Sequence, residues 1–146
     1  IIVTTKNIKN QGFTLVELLI VIVIIAILTV VSLVAYNGLQ NQAKTSAAKS
    51  AADAVAKKAE LYNTAKSSYP TGLGDITNAA NSGEPYYLDA NTVNGGSLTA
   101  GTPPTAGANT IEYVPCPTTG TATGAHVKYY NFSNNTVEER KIGTGC

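Results

Sequence analysis

The sequence has no methionine or tryptophan, one histidine and two cysteines, and only 13% of its 146 residues are charged. That charged fraction is about half of the usual value for soluble domains. The formal net charge is +1, so the chain has no strong electrostatic field that would attract nucleic acid. Nucleic-acid binding is left open at this point. Because even an initiator methionine is absent, we expect that the chain as given does not begin at a conventional translation start.

Residues suited to catalysis or metal binding are also scarce. His126 is the single histidine, and the serines and threonines occur in no nucleophile motif. Two cysteines and one histidine are a poor zinc ligand set. The acids Asp75, Glu84 and Asp89 are scattered, although a calcium site there stays an alternative. We therefore expect no catalytic residue, no metal and no cofactor, and we do not expect an enzyme.

The chain does contain a long apolar segment near its N-terminus. Residues 13–35 are largely aliphatic and as a helix would span about 35 Å at about 1.5 Å per residue. That length crosses a hydrocarbon core of about 30 Å, so the segment predicts a transmembrane helix. Lys6 and Lys9 precede it without an accompanying acid, which places the N-terminal end in the cytoplasm.

The start of this segment carries a recognisable motif. Gly12 to Leu18 reads G-F-T-L-V-E-L and resembles the class III signal of type IV pilins and type II secretion pseudopilins. Ser32 to Lys44 also resembles the segment that follows the membrane span in pilins. The resemblance implies cleavage between Gly12 and Phe13 by a prepilin peptidase, N-methylation of Phe13, and retention of the apolar segment as an assembly helix. An uncleaved single-span anchor is the alternative, and Glu17 argues against it.

Glu17 is a carboxylate close to the start of the apolar segment. A charge in lipid costs on the order of a few kcal/mol at mid-bilayer and less near an interface, and it usually marks function. After cleavage the new amino group of Phe13 lies one turn before Glu17, and in a staggered bundle it could meet the Glu17 of a neighbour. Opposite charges about 4 Å apart gain about 4 kcal/mol at an effective dielectric constant near 20, before desolvation. We interpret Glu17 as an assembly residue that sets the docking register.

Residues 36–66 keep the helical pattern and become amphipathic. No proline lies between Phe13 and Ser68, so one helix is predicted through both halves, ending at about Lys66, with Asn37-Gly38 as its weak point for a bend. An apolar face is predicted, interrupted by Lys58, and it consists of Ala51, Ala54, Val55, Leu61, Tyr62 and Ala65. The opposite, polar face consists of Ser46, Lys49, Asp53, Lys57 and Glu60.

The remainder predicts a loop followed by a small sheet. Residues 67–109 are rich in Gly, Asn, Thr and Pro and are expected to be the variable loop that pilins insert before the sheet, with disorder as the alternative. Strands are predicted over Thr110–Val114, His126–Phe132 and Thr136–Ile142, with a hairpin turn at Asn134-Asn135. The fold class is therefore α+β: a long N-terminal helix packed on a small antiparallel sheet.

Cys116 and Cys146 are expected to be joined. Given the predicted orientation, both lie outside the membrane, where disulfides persist. Closing the loop between them would stabilise the fold by about 3–4 kcal/mol in the chain-entropy model. Pilins also usually carry a C-terminal disulfide-bounded loop. We therefore predict a Cys116–Cys146 disulfide in preference to a metal site.

The resemblance implies a structural subunit that is inserted into the cytoplasmic membrane and then polymerised at the cell surface. Its partners would be copies of itself, the prepilin peptidase and the pilus assembly machinery, and the filament would serve adhesion, motility or DNA uptake. A major pilin is favoured over a minor pilin, a pseudopilin, or a membrane-tethered binding module that never polymerises. An anchored secreted enzyme is a third class. Asn131 and Asn134 begin N-glycosylation patterns.

The expected domains are a leader at 1–12, a transmembrane and assembly helix at 13–35, an amphipathic helix at 36–66, and an extracellular head at 67–146. The head divides into the loop 67–109 and the sheet and disulfide loop 110–146.

Overall fold

The computed structural model describes residues 12–146, so the predicted leader lies outside the described residues except for Gly12. The chain divides into two compact units, Ile1–Gln40 and Asn41–Cys146, here called the N-terminal and C-terminal units. The elements are helix α1 (Leu15–Lys66), helix α2 (Gly74–Thr77), a 3₁₀ helix (Ala79–Asn81), and strands β1 (Asn94–Gly95), β2 (Thr110–Cys116), β3 (Gly124–Asn131) and β4 (Thr136–Gly143). This arrangement confirms the predicted α+β fold class.

Helix α1 is a single element, as the sequence predicts, and it continues through Gly38. It ends at Lys66 because the next residue, Ser67, adopts a left-handed conformation with φ of 60°. The Ser67 N–H donates to the Asn63 carbonyl over 2.8 Å, which closes the last turn. Pro70 follows shortly after and cannot continue a helix.

Small side chains form the buried face of α1 in the C-terminal unit. We call this set the alanine face, and its members are Ala48, Ala51, Ala52, Val55, Ala56 and Ala59. The predicted apolar face is correct at Ala51 and Val55 and wrong at Ala65, which is exposed. Ala65 is exposed because it lies in the last turn of the helix, beyond the buried stretch that ends at Ala59. All five residues of the predicted polar face are exposed.

The segment between the helix and the main strands is folded, so the alternative of disorder is wrong. Four of its side chains are buried in the same core as the alanine face, namely Ile76, Tyr86, Leu88 and Val93. The Leu88 N–H donates to the Ile76 carbonyl over 2.8 Å. Lys58, which interrupts the apolar face in the sequence, reaches across to donate from Nζ to the Pro85 carbonyl over 3.0 Å. Its half-buried stem covers apolar surface while its charge is hydrogen-bonded.

The sheet has the strand order β1-β2-β3-β4. The antiparallel pairing of β2 with β3 and of β3 with β4 confirms the predicted meander. The prediction of a wholly antiparallel sheet is wrong, because β1 pairs with β2 in parallel, Asn94 opposite Thr110. Strand β1 has only two residues, which is too short to show an alternating hydrophobic pattern. The sequence therefore does not predict this strand. Hydrogen bonds from Asn94 Nδ2 to the Ala106 carbonyl and Asn109 Oδ1 hold β1 in place.

The turn between β3 and β4 lies where the sequence predicts it. Asn135 has φ of 56°, a left-handed conformation that asparagine tolerates better than most residues. Asn131 Oδ1 accepts from the backbone N–H groups of Ser133 and Asn134. The turn also contacts α1, because the Phe132 N–H donates to Thr45 Oγ1 over 2.9 Å.

The two faces of the sheet differ in chemistry. Ile111, Val127 and Ile142 are buried in the core with the alanine face. By alternation, the opposite or outer face carries Glu112, Lys128 and Glu139, and Lys128 Nζ lies 3.6 Å from Glu112 Oε1. The charged residues of β4, the edge strand, protect that edge against pairing with another chain.

Polar contacts attach β4 to its surroundings on the helix side of the sheet. Arg140 forms an ion pair with Asp53 of α1. Glu138 accepts hydrogen bonds from Asn131 Nδ2 over 2.6 Å and from the Tyr129 hydroxyl over 2.8 Å. The bond from Asn131, followed by the bond from Tyr129, lowers the pKa of Glu138 below its usual value.

The alanine face yields a stability prediction. Ala52 is fully buried, so Ala52→Leu should overpack the core and lower the free energy of unfolding by about 1–3 kcal/mol. The measurement is urea unfolding of the full chain in detergent micelles, followed by circular dichroism. Ala47→Leu is the matched control because Ala47 is exposed on the same helix. Equal losses in the two variants would contradict the assigned face.

Glu138 yields a pH prediction. Because its folded pKa is lowered, its contribution is present above its unfolded value of about 4.3 and is lost as the pH falls through the folded pKa. The urea midpoint of the parent chain should therefore decline more steeply below about pH 4.3 than that of Glu138→Gln. Glu84→Gln, at an exposed acid, should keep the parent's pH profile. Parallel profiles for the parent and Glu138→Gln would refute the role of this carboxylate.

Candidate processing and assembly site

The residues that the sequence marks for processing lie immediately before α1. Gly12 and Phe13 precede the helix and are exposed, Phe13 by 81%. Thr14 is the last residue before the helix, and its carbonyl accepts the Leu18 N–H over 3.2 Å. The Gly12–Phe13 peptide bond therefore lies outside the hydrogen-bonded helix.

Thr14 and Glu17 form a reciprocal pair of hydrogen bonds at the helix start. The Thr14 N–H donates to Glu17 Oε2 over 2.8 Å, and the Glu17 N–H donates to Thr14 Oγ1 over 3.2 Å. This is a capping box, which satisfies two backbone donors that a helix start leaves unpaired. The negative charge of Glu17 in the first turn also matches the positive end of the helix dipole.

Sequence reasoning missed the capping role of Glu17, although the signal is present. Threonine followed three residues later by glutamate, ahead of an apolar run, is the pattern of a capping box. The predicted contact between Glu17 and the Phe13 amine concerns a second copy of the chain, and it stays a prediction. Within one chain, Glu17 has a role of its own at the start of α1.

The apolar half of α1 forms an exposed hydrophobic surface. Its large side chains, from Leu18 to Leu39, are about half exposed or more. The helix is long and apolar enough to cross a membrane, and its apolar stretch is not buried within the chain. The hydroxyl of Thr29 in this stretch donates to the Ile25 carbonyl over 2.7 Å, so it does not remain unpaired in an apolar setting. Contiguous exposed apolar surface of this kind indicates contact with lipid or with other protein.

The two cysteines are joined, which confirms the predicted pairing. The Cys116–Cys146 disulfide has an S–S distance of 2.04 Å and a Cα–Cα distance of 5.2 Å. It connects the end of β2 to the residue at position 146, three residues after β4. The sulfurs are therefore bonded to each other and do not offer thiolates to a metal in this form.

Other residues singled out by the sequence have local roles. Asp75 accepts from the backbone N–H and hydroxyl of Thr71, and Asp89 accepts from the Asn91 N–H. These carboxylates stabilise turns. Of the two N-glycosylation patterns, the one at Asn131 has its side-chain amide bonded within the hairpin.

Comparison with known proteins agrees with the helix start. The model of the prokaryotic N-terminal methylation motif matches residues 7–33, a range that includes Gly12, Phe13 and Glu17. No curated protein and no solved structure matches the chain. The motif supports a type IV pilin-like or pseudopilin-like protein. Together with the apolar helix, it is consistent with a membrane-anchored precursor that is later assembled into surface filaments.

Proposed function

We propose that this chain is the precursor of a structural subunit of a type IV pilus-like filament. In this proposal residues 1–12 are the leader, which prepilin peptidase removes by cutting between Gly12 and Phe13, and Phe13 is then N-methylated. The precursor resides in the cytoplasmic membrane through residues 13–35. The mature subunit polymerises through α1 with copies of itself and serves adhesion, motility or DNA uptake at the cell surface.

The observation that carries the proposal is the methylation motif at residues 7–33 on an exposed apolar helix. The same helix continues into a separately packed unit whose last strand is followed by a disulfide. An anchor that is cleaved away would not need to continue into the core of the next unit. The continuous helix instead suits a segment that is retained after processing and later packs against other copies.

A minor pilin or a type II secretion pseudopilin is the second candidate, because the same motif is compatible with each. A major pilin is abundant in sheared surface fibres, whereas a minor pilin or pseudopilin contributes few copies. Abundance in the fibre is therefore the property that separates the two candidates. A tethered binding module would be absent from sheared fibres altogether.

The first prediction concerns processing and abundance. Fibres sheared from cells that express this chain should contain it as the dominant protein, and mass spectrometry should find N-methylated Phe13 at its N-terminus. Gly12→Val should leave the full-length precursor in the membrane fraction, because the bulkier side chain occupies the cleavage position. A mature chain that begins at another residue would contradict the assigned processing site.

The second prediction concerns Glu17. Glu17→Ala should abolish or strongly reduce filaments, because the Phe13 amine of a docking copy loses its partner. It should leave the C-terminal unit folded, since the contacts of Glu17 are to Thr14 at the start of α1. Filament yield after shearing and disulfide formation in the membrane-bound precursor are measured side by side.

Two further variants separate charge from capping. Glu17→Gln retains much of the side chain's shape and its hydrogen-bonding capacity but removes the charge, so it should also fail to assemble. Thr14→Ser keeps the hydroxyl of the capping box and should assemble like the parent. Normal fibres from Glu17→Gln would show that charge pairing does not set the register.

A further inference from the structure

His126 lies beside the disulfide on the outer face of the sheet. In the paired register Val114 of β2 is opposite His126 of β3. Cys116, two residues further along β2, is therefore a diagonal neighbour of His126 on the same face. A ring nitrogen of His126 and the sulfurs of Cys116 and Cys146 lie within 4.8 Å of one another. Strand pairing thus places an imidazole against the bonded pair of sulfurs.

The two cysteines differ in their access to solvent. Cys116, at the end of β2, is buried, whereas Cys146 is exposed. An external thiolate breaks a disulfide by attacking one sulfur and expelling the other as a thiolate. Attack at the accessible sulfur of Cys146 therefore expels the sulfur of Cys116, which belongs to the strand paired with that of His126.

Charged side chains of both neighbouring strands face the imidazole. Glu139 Oε2 of β4 is 2.9 Å from His126 Nδ1, which is buried, although the direction of this contact is not that of a good hydrogen bond. Lys141 lies opposite His126 on β4, and its Nζ is 3.9 Å from Glu139 Oε1. On the other side, Glu112 of β2 and Lys128 of β3 pair with each other over 3.6 Å. Glu139 is thus the carboxylate in contact with the ring, and it forms an ion pair with the ring when the ring is protonated.

We propose that His126 assists the opening of the Cys116–Cys146 disulfide by an external thiol. The protonated ring donates its proton to the Cys116 sulfur as that sulfur leaves. A histidine cation stabilises a neighbouring thiolate, and a disulfide opens faster when the leaving thiolate is more stable. Glu139 is a positioning residue that holds the ring through Nδ1. This role of the disulfide is independent of the proposed filament.

The step is a thiol–disulfide exchange. The thiolate of an external dithiol attacks Cys146 Sγ, an S–S bond forms between them, and the bond to Cys116 Sγ breaks with its electron pair on Cys116. The ring proton of His126 moves to Cys116 Sγ, and the neutral imidazole regains a proton from water. The second thiolate of the dithiol then displaces Cys146 Sγ, which takes a proton from water. The chain has gained two electrons and two protons, and the dithiol has become a disulfide.

The test measures how fast dithiothreitol opens the disulfide of the folded full chain in detergent micelles. Samples are withdrawn over time, their thiols are trapped by alkylation, and mass spectrometry counts the opened chains. At about pH 6, where histidine is largely protonated, His126→Asn should react about threefold more slowly than the parent or slower still. This estimate follows because a tenfold change in the acidity of the leaving thiol changes the rate about threefold at a Brønsted slope of about 0.5.

The pH dependence identifies the proton. At about pH 8.5, where histidine is neutral, the rates of the parent and His126→Asn should converge. Both chains meet the same reductant at the same pH, so the ionisation of the reductant cancels from the ratio of their rates. Equal rates at about pH 6, or a ratio that does not change with pH, would overturn the proposal.

Lys128→Asn is the matched control. Lys128 lies on the same strand and the same face as His126, two residues further from Cys116, so this variant removes a positive charge without removing the proton donor. It should keep the rate and the pH dependence of the parent. Glu139→Gln should slow opening at about pH 6, and it should have no further effect in a chain that already carries His126→Asn. An equal effect of Glu139→Gln in both backgrounds would refute its positioning role.

A change in folding is separable from the proposed effect by its sign. A variant that merely loosened the C-terminal unit would expose the disulfide and react faster than the parent, so a faster His126→Asn would overturn the proposal. In concentrated guanidinium chloride, where the strand pairing is lost, the parent and His126→Asn should react at the same rate. A difference that persists there would show that the folded position of His126 is not its cause.

Discussion

The contact between the alanine face of α1 and the sheet is the interaction on which the C-terminal unit depends. Its small side chains are buried in one core with Val127 and its neighbours, where side chains are closely packed. The other attachments build on this contact. Arg140 of β4 forms an ion pair with Asp53 of the helix, and Lys58 of the helix donates to the Pro85 carbonyl in the folded segment before the sheet. Replacing an alanine by a larger residue would disturb the whole set.

The N-terminal half of the same helix differs from the alanine face, because its apolar side chains are exposed. Such a surface indicates contact with lipid or with other protein. Glu17 lies at the start of this half. Its partner in the single chain, Thr14, differs from its partner in the proposed filament, the Phe13 amine of another copy. A capping interaction is worth about 1 kcal/mol, whereas a charge pair at about 4 Å gains about 4 kcal/mol before desolvation. In the proposed filament, exchange of the Thr14 partner for the Phe13 amine of another copy is favourable when desolvation costs less than this difference of about 3 kcal/mol.

Most of the fold was predictable because its strongest signals are local. The uninterrupted apolar and alanine-rich stretch predicts α1, and alternation with an Asn-Asn turn predicts the β3–β4 hairpin. Strand β1 was not predictable, because two residues have no period and their pairing depends on the side chain of Asn94. The processing motif and the disulfide were also within reach of the sequence. The position of His126 beside the disulfide was not, because strand register places the two together and no spacing in the sequence reveals it.

Folding and the proposed assembly depend on different parts of α1, so the two properties can be measured separately. The core of the C-terminal unit is built from residues after position 47, and the exposed apolar surface lies before position 40. A change in the alanine face acts on folding, so it reduces the amount of folded chain. A change at Glu17 leaves that core intact and acts at the helix start, on the capping box with Thr14 and, in the proposed filament, on the contact with another copy. Filament yield divided by the amount of folded precursor therefore measures the assembly that we propose for the helix, separately from the helix's contribution to folding.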